Sequence, residues 1–349
     1  MQTAFQQFME TQKMDHEALL YQREDETSVR CELCAHRCRI APGMTGICGV
    51  RENRNGSLYS LVYGKIIAEN VDPVEKKPLF HFLPGSRTFS IATAGCNFRC
   101  SFCQNSGISQ MPAENGKIVG RDRTPAQIVE MAIHAASKSI SYTYTEPTIF
   151  FEFAFDTAKI AVERGLKNIF VTNGFMTAEM LKMLSPYLHA ANVDLKSFRD
   201  DFYRKFCGGR LQPVLDSLHA MKELGVWVEV TTLLIPGLND SDEELREIAS
   251  FIASLGIEIP WHISRFHPQY LMMDMPATPS SSIHHAVETG KAAGLKYVYS
   301  GNLPGDSGEN TFCPACGSPL IERYGFSIEK IDLRESACPT CGTLLDGVF

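Results

Sequence analysis

Between about residue 88 and residue 302, short apolar, β-branched runs alternate with amphipathic stretches, and this alternation limits the folds open to the chain. The runs are "RTFSIATAG", "SISYTYTE", "LKNIFVTNG", "AANVDLKS", "VWVEVTTLLIPG", "IPWHISRFH" and "LKYVYSGN". Helical patterns such as "TPAQIVEMAIHAASK" and "SDEELREIASFIASLG" separate them. Continuous apolar strands interleaved with helices predict a parallel sheet covered by helices. Six or seven such units within about 215 residues predict an α/β fold, a partial or full (β/α) barrel rather than a doubly wound sheet. Several runs end in polar residues: Glu146, Asn173, Asp194, Lys196, and the stretch from His262 to His267. In a parallel barrel those strand ends form the rim where chemistry is done. The aromatic run "TIFFEFAF" reads as a buried helix face.

The rest of the chain is organised by cysteine. Residues 1–30 read as a polar, partly helical lead-in, 31–64 as a small Cys- and Gly-rich unit with a hairpin return, 65–305 as the barrel, and 306–349 as a two-knuckle Cys unit. No apolar run reaches the length of a membrane span, and the N-terminus lacks the basic start and apolar core of a signal peptide. The net charge of −7 gives no reason to expect nucleic acid. A cytoplasmic location follows as the expectation. In that compartment the 12 cysteines do not form a disulfide framework, and clustered ones bind metal.

Three of the cysteines carry the sharpest signal. "GCNFRCSFCQN" places Cys96, Cys100 and Cys103 in a C-x3-C-x2-C loop directly after a predicted strand. Thiolates normally hold all four irons of a [4Fe–4S] cluster, so three leave one iron open. The loop resembles the signature of the radical S-adenosylmethionine (SAM) superfamily. That resemblance implies that SAM chelates the open iron and is reductively cleaved to methionine and a 5′-deoxyadenosyl radical that abstracts hydrogen. It also implies roles for further residues. Phe102 would pack on the adenine; Glu146, with its neighbour Thr145, would receive the SAM ammonium. Asn173 in "VTNG" and Asp194 and Lys196 in "DLK" resemble segments of glycyl-radical-enzyme activases, with Lys196 suited to the SAM carboxylate. His262 in "IPWH" would lie near the ribose. Tyr144 and Thr145 stand where relatives carry glycines, and Val171 where the activases carry an aspartate.

From Cys31 onward the chain resembles the radical SAM member of the AmmeMemoRadiSam system, related to pyruvate formate-lyase activating enzyme. The likeness rests on "CELCAHRC", "YGKIIAENVDPVEKKPLFHFLPGSRTFSIATAGCNFRCSFCQN", "YVYSGNLPG" and "CPACG". It implies an electron donor of flavodoxin or ferredoxin type. It also implies a protein partner: a glycyl radical enzyme or the two other proteins of that system. An activase-like attack on a macromolecule is the leading expectation, with a small-molecule substrate or a non-catalytic metal scaffold as the alternatives.

Two cysteine quartets flank the barrel. Cys313, Cys316, Cys338 and Cys341, with 21 residues between the pairs, read as structural zinc or rubredoxin-type iron. Cys31, Cys34, Cys38 and Cys48 suit zinc or a second iron–sulfur cluster, with His36 a further candidate ligand; Gly43, Gly46 and Gly49 suggest a tight knuckle and tilt the reading toward zinc. Cys207 reads either as a packed small residue or as a thiol near the radical. Arg265 and His267, after the sixth strand, read either as groups that bind an anionic substrate or accept a proton, or as helix-capping or core residues.

Overall fold

The computed structural model describes residues 16–349, so half of the lead-in lies outside the described residues. Each of the seven predicted runs forms a strand. In chain order the sheet contains β1 (Lys65–Pro73), β2 (Arg87–Thr93), β3 (Ser139–Tyr142), β4 (Lys167–Thr172), β5 (Ala190–Asp194), β6 (Trp227–Leu234), β7 (Trp261–Arg265) and β8 (Val298–Gly301). Strands β2 to β8 pair side by side in parallel. Strand β1 joins antiparallel to β2, and the two-residue strand Arg121–Asp122 closes that edge. Strand β8 and Arg121–Asp122 are the two ends of the sheet, so the barrel is partial and open.

The helices between the strands are α1 (Pro125–His134), α2 (Phe151–Glu163), α3 (Ala178–Leu184), α4 (Gln212–Glu223), α5 (Asp242–Leu255) and α6 (Ser280–Ala292). Their starts are written locally. Thr124 and Gln127 form a reciprocal capping box ahead of α1, with Pro125 at its first turn, and the Ser241 hydroxyl caps α5. On α5 the buried residues Leu245, Ile248, Ala249 and Ile252 recur at helical spacing, which makes one face of the helix apolar. The other face of the sheet is unusually polar. Register pairs Asn192 with Glu229, Asp194 with Thr231, Thr231 with His262, and His262 with Tyr299. Paired residues of a parallel sheet share a face, so these side chains form rows inside the partial barrel.

Two small units dock on this frame. Residues 16–30 extend rather than coil, with strands His16–Glu17, Tyr21–Arg23 and Val29–Cys31, which corrects the partly helical expectation over the described part of the lead-in. Segments of two or three residues carry no periodicity; they are strands because Ser57–Ser60 and Arg39–Ile40 offer them partners. Arg51–Arg54 and Ser57–Ser60 form the expected hairpin, turned by Asn55 (φ 53) and Gly56 (φ 88), both left-handed as a type I′ turn requires. At the other end Thr311–Phe312, Pro319–Tyr324 and Ser327–Ile331 make an antiparallel sheet with a small core around Cys313, Leu320, Ile321, Cys338 and Leu345. This unit bridges to the barrel through Phe82 and Val348, and the buried His81 ring sits between the Asp346 carbonyl (2.7 Å) and the Tyr299 hydroxyl (2.6 Å).

Candidate active site

The loop after β2 carries Cys96, Cys100 and Cys103. Gly95 opens it at φ +107, where a Cβ would meet Val50 Cγ1 at 2.8 Å and the Cys48 carbonyl at 3.2 Å, so only glycine fits. The loop is clamped from across the barrel. The Arg99 and Ser101 amides donate to the carbonyls of Cys207 (2.8 Å) and Phe206 (2.9 Å), in the π-helical turn Tyr203–Cys207. The Phe98 amide lies 3.3 Å from Cys96 Sγ, and the Ser109 hydroxyl 3.3 Å from Cys103 Sγ. Such donors favour thiolate over thiol.

The ends of the next three strands converge on the loop. Beyond β3, Glu146 is buried and its carboxylate is heavily used. Oε1 accepts from the Thr148 amide (3.1 Å), the Thr148 hydroxyl (2.6 Å) and the Thr172 hydroxyl (2.7 Å), and Oε2 from the Asn173 amide (2.8 Å). Burial raises its pKa against the pull of those bonds. Its charge, second to burial, helps push the Cys96 thiol well above its usual range. An ionised carboxylate offers about four lone-pair sites, so acceptor capacity remains on Oε2. Beyond β4, the Asn173 side-chain amide donates to Asn97 Oδ1 (2.7 Å) and lies 3.9 Å from Cys96 Sγ.

At the end of β5, Lys196 Nζ pairs with Asp194 (2.8 Å) and stands 5.9 Å from the Phe102 ring centre. Burial disfavours its charge, yet Asp194 and the thiols of Cys100 and Cys207 outweigh that and hold its pKa well above the usual lysine value. Phe102 is itself buried and packs against Phe202. The Thr145 hydroxyl is committed to the Thr93 carbonyl (2.8 Å).

Tyr144 takes φ +62, a left-handed conformation suited to glycine. Its hydroxyl bonds to Asp72, which also binds Lys77 (2.7 Å), and the Lys77 ammonium lies 4.5 Å from the ring centre. A glycine-type backbone thus persists here under a tyrosine, held by a buried ion pair.

The other candidates spread out. Cys207 is fully buried, with its thiol against that of Cys100. Hydrogen bonding from Cys207 and the Lys196 charge lower the Cys100 pKa, while burial and Cys100 raise that of Cys207. His262 Nε2 donates to the Glu229 carboxylate (2.7 Å) and the ring stacks on Tyr299, among Phe80 and His81, and none of these partners belongs to the cysteine loop. Arg265 Nε donates to the Thr278 carbonyl (2.7 Å), and His267 is exposed with no hydrogen-bond partner among the described residues. The sequence reading did not identify Asn97, Glu229 or the Asp72–Lys77 pair, whose partners lie dozens of residues away or more and leave no local pattern.

At the far end, the sulfurs of Cys313, Cys316, Cys338 and Cys341 all lie within 4.8 Å of one another, with Cys313–Cys341 at 3.6 Å and Cys316–Cys338 at 3.7 Å. A tetrahedral ion with bonds of about 2.3 Å sets sulfurs about 3.8 Å apart, so this quartet fits one metal ion.

Comparison with known proteins gives the following likenesses. The Radical SAM superfamily profile matches residues 90–252, from β2 into α5. An uncharacterized protein of Methanocaldococcus jannaschii is 47% identical over 336 residues, covering 95% of this chain and 99% of that protein. Pyruvate formate-lyase-activating enzyme of Clostridium pasteurianum is 25% identical over 178 residues, 49% of this chain and 71% of that enzyme. GTP 3',8-cyclase of Listeria welshimeri is 28% identical over 180 residues, half of that enzyme's length. Among solved structures, a domain of pyruvate-formate lyase-activating enzyme from Bacteroides vulgatus aligns with a TM-score of 0.43 at 18% identity, over 48% of this chain and 100% of that one.

Proposed function

We propose that this chain, which belongs to the radical SAM superfamily, holds a [4Fe–4S] cluster on Cys96, Cys100 and Cys103 and directs radical chemistry from SAM at a macromolecular substrate, as an activase does. The observation that carries the reading is convergence: Glu146, Asn173 and Lys196, from the ends of successive strands, close on a loop with three thiols. The donor set fits the cluster. Among the described residues these sulfurs do not form a group compact enough for a single ion, and no fourth cysteine completes them from within the loop.

When bound, the cluster and SAM supply a one-electron cleavage of the sulfonium that gives methionine and a 5′-deoxyadenosyl radical. The chain's own residues hold and orient. The Lys196 ammonium pairs with the SAM carboxylate, Glu146 Oε2 offers an acceptor to the ammonium, and Phe102 gives an apolar face to the adenine. Asn173, tied to Asn97, fixes the wall beside Cys96. Buried aromatic residues around the loop keep water away from a reactive species. The partners we assign are an electron donor of flavodoxin or ferredoxin type and either the two other proteins of the AmmeMemoRadiSam system or a glycyl radical enzyme. We assign zinc to the C-terminal quartet and a cytoplasmic location to the whole; among the described residues, no helix is long and apolar enough to cross a membrane.

The test is uncoupled turnover. Anaerobically reconstituted protein with dithionite and SAM should release 5′-deoxyadenosine without substrate, and the Cys96→Ala/Cys100→Ala/Cys103→Ala variant should release none. Equal release by that variant would refute the assignment.

A further inference from the structure

The chain contains three sets of clustered cysteines, and the structure sorts them by how far apart their sulfurs stand. The C-terminal quartet is tight enough for one ion. The Cys96 triplet is not. The N-terminal quartet, Cys31, Cys34, Cys38 and Cys48, behaves like the triplet. Its four members line one pocket, yet among the described residues they do not form, with or without His36, a group compact enough to hold a single ion. A single tetrahedral ion would draw the sulfurs to about 3.8 Å, with nothing between them. Here the space between them admits a body of the size of a water molecule. A cubane interposes four irons and four sulfides, so its thiolates necessarily stand farther apart than those around one ion.

The walls agree with that occupant. Ile40, Ile47 and Ile149 make them largely apolar, which does not suit a pool of water. The one full charge among the lining residues is Arg51, 1% exposed. Its terminal nitrogens are used: Nη1 on the Glu152 carboxylate at 2.8 and 3.0 Å, and Nη2 on the Leu19 carbonyl at 2.6 Å. Its Nε is buried and has no hydrogen-bond partner among the described residues. An orphaned, buried guanidinium N–H at a pocket ringed by thiols asks for an anionic sulfur acceptor. Thiolate or sulfide of an iron–sulfur cluster supplies one, and N–H···S bonds of this kind tune such clusters. His36 Nε2 bonds the Asn97 carbonyl at 2.8 Å, which leaves Nδ1 as its one remaining ligand atom.

We infer that Cys31, Cys34, Cys38 and Cys48 bind a second [4Fe–4S] cluster, with Arg51 Nε as its hydrogen-bond donor. The sequence tilted this quartet toward zinc; the open geometry points the other way. With a thiolate for every iron the cluster has no open site, so it carries electrons and does not bind SAM. It takes one electron from a flavodoxin- or ferredoxin-class donor, which is oxidised by one, and releases one in turn. Its position suits that task. Asn97, on the pocket wall, adjoins Cys96 in the chain, and the Cys48 carbonyl abuts Gly95. The electron-carrying role rests on the SAM chemistry proposed above; the site itself does not.

The test is metal and sulfide analysis of the full chain, reconstituted anaerobically, with electron paramagnetic resonance after dithionite reduction. Wild type should bind about eight irons and one zinc, and only one of two reduced signals should shift on adding SAM. The Cys96→Ala/Cys100→Ala/Cys103→Ala variant should keep about four irons and a signal indifferent to SAM. The Cys34→Ser/Cys48→Ser variant should keep the SAM-responsive signal alone. About four irons and two zincs in wild type, with an iron-free triplet variant, would overturn the inference. If the serine variant fails to fold, wild type and the triplet variant decide the matter. Failure of the SAM reading looks different: no signal responds to SAM in wild type, while the triplet variant still holds its four irons.

Discussion

Glu146 and Lys196 both serve the same loop, but they differ in how much of the protein leans on them. Glu146 accepts four hydrogen bonds from Thr148, Thr172 and Asn173, so it organises the end of β4 as well as facing the site. Among the described residues, Lys196 Nζ makes one hydrogen bond, to Asp194. Lys196→Ala should therefore weaken SAM binding by up to about 3 kcal/mol, the worth of a charged hydrogen bond, with iron content unchanged. Glu146→Ala should weaken it comparably and also lower thermal stability, because buried donors lose their acceptor. SAM titration monitored by the cluster's resonance, iron analysis and a melting curve would check both. Iron loss with unaltered SAM affinity would reverse the assignment. The triplet's place, on a loop directly after a strand, was legible in the sequence because the cysteine spacing is local and the strand before it is a continuous apolar run. Tyr144 was not legible in the same way. A tyrosine at φ +62 makes sense only once Asp72 and Lys77 are seen beneath it.

The strands of the parallel sheet were readable because both their faces are covered, which writes them as continuous apolar runs. The polar interior row was not, since it depends on register across β5, β6 and β7. Contacts between elements were equally hidden. The aromatic run entering α2 read as a buried face, and Phe150, Phe151 and Phe153 are indeed fully buried; but Glu152 among them is also fully buried and receives Arg51 from the N-terminal hairpin. This pair fastens the N-terminal unit to α2. Removing one partner strands the other without water, so Glu152→Ala should cost about 3–5 kcal/mol. Replacing both, as in Arg51→Met/Glu152→Leu, should recover much of that loss. Denaturant melts of the two variants would show it, and equal losses would mean that the pair matters for more than mutual neutralisation.

Across the whole molecule, the segment around Phe80 to Leu83 couples the barrel to the C-terminal unit. Glu229 on β6 accepts the Phe80 and His81 amides, and the Arg323 guanidinium, from the C-terminal sheet, donates to the Phe80 carbonyl. His81 lies at the centre of this seam. Burial, partly offset by Glu229, lowers its pKa from 6.5 to about 4. The unfolded chain therefore takes up this proton first as pH falls, so the neutral ring's contribution is complete above pH 6.5 and is lost between 6.5 and 4. The full shift corresponds to about 3 kcal/mol. Wild type should lose more stability over that window than His81→Gln, as read from denaturant midpoints at matched pH. Parallel curves would show that the ring is not the titrating group. Any metal released from the C-terminal quartet in acid affects both proteins alike and cancels in the comparison.

The pocket ringed by Cys31, Cys34, Cys38 and Cys48 takes part of its wall from Asn97 and Ile149, and Arg51 beside it is held by Glu152. A ribosome releases the chain from its N-terminus, so those four thiols emerge roughly 50 to 120 residues before the residues that close over them. Until the first half of the barrel exists, they lack the wall that buries them. The finished pocket therefore exists only once the first half of the barrel has been made, although its cysteines are the first in the chain.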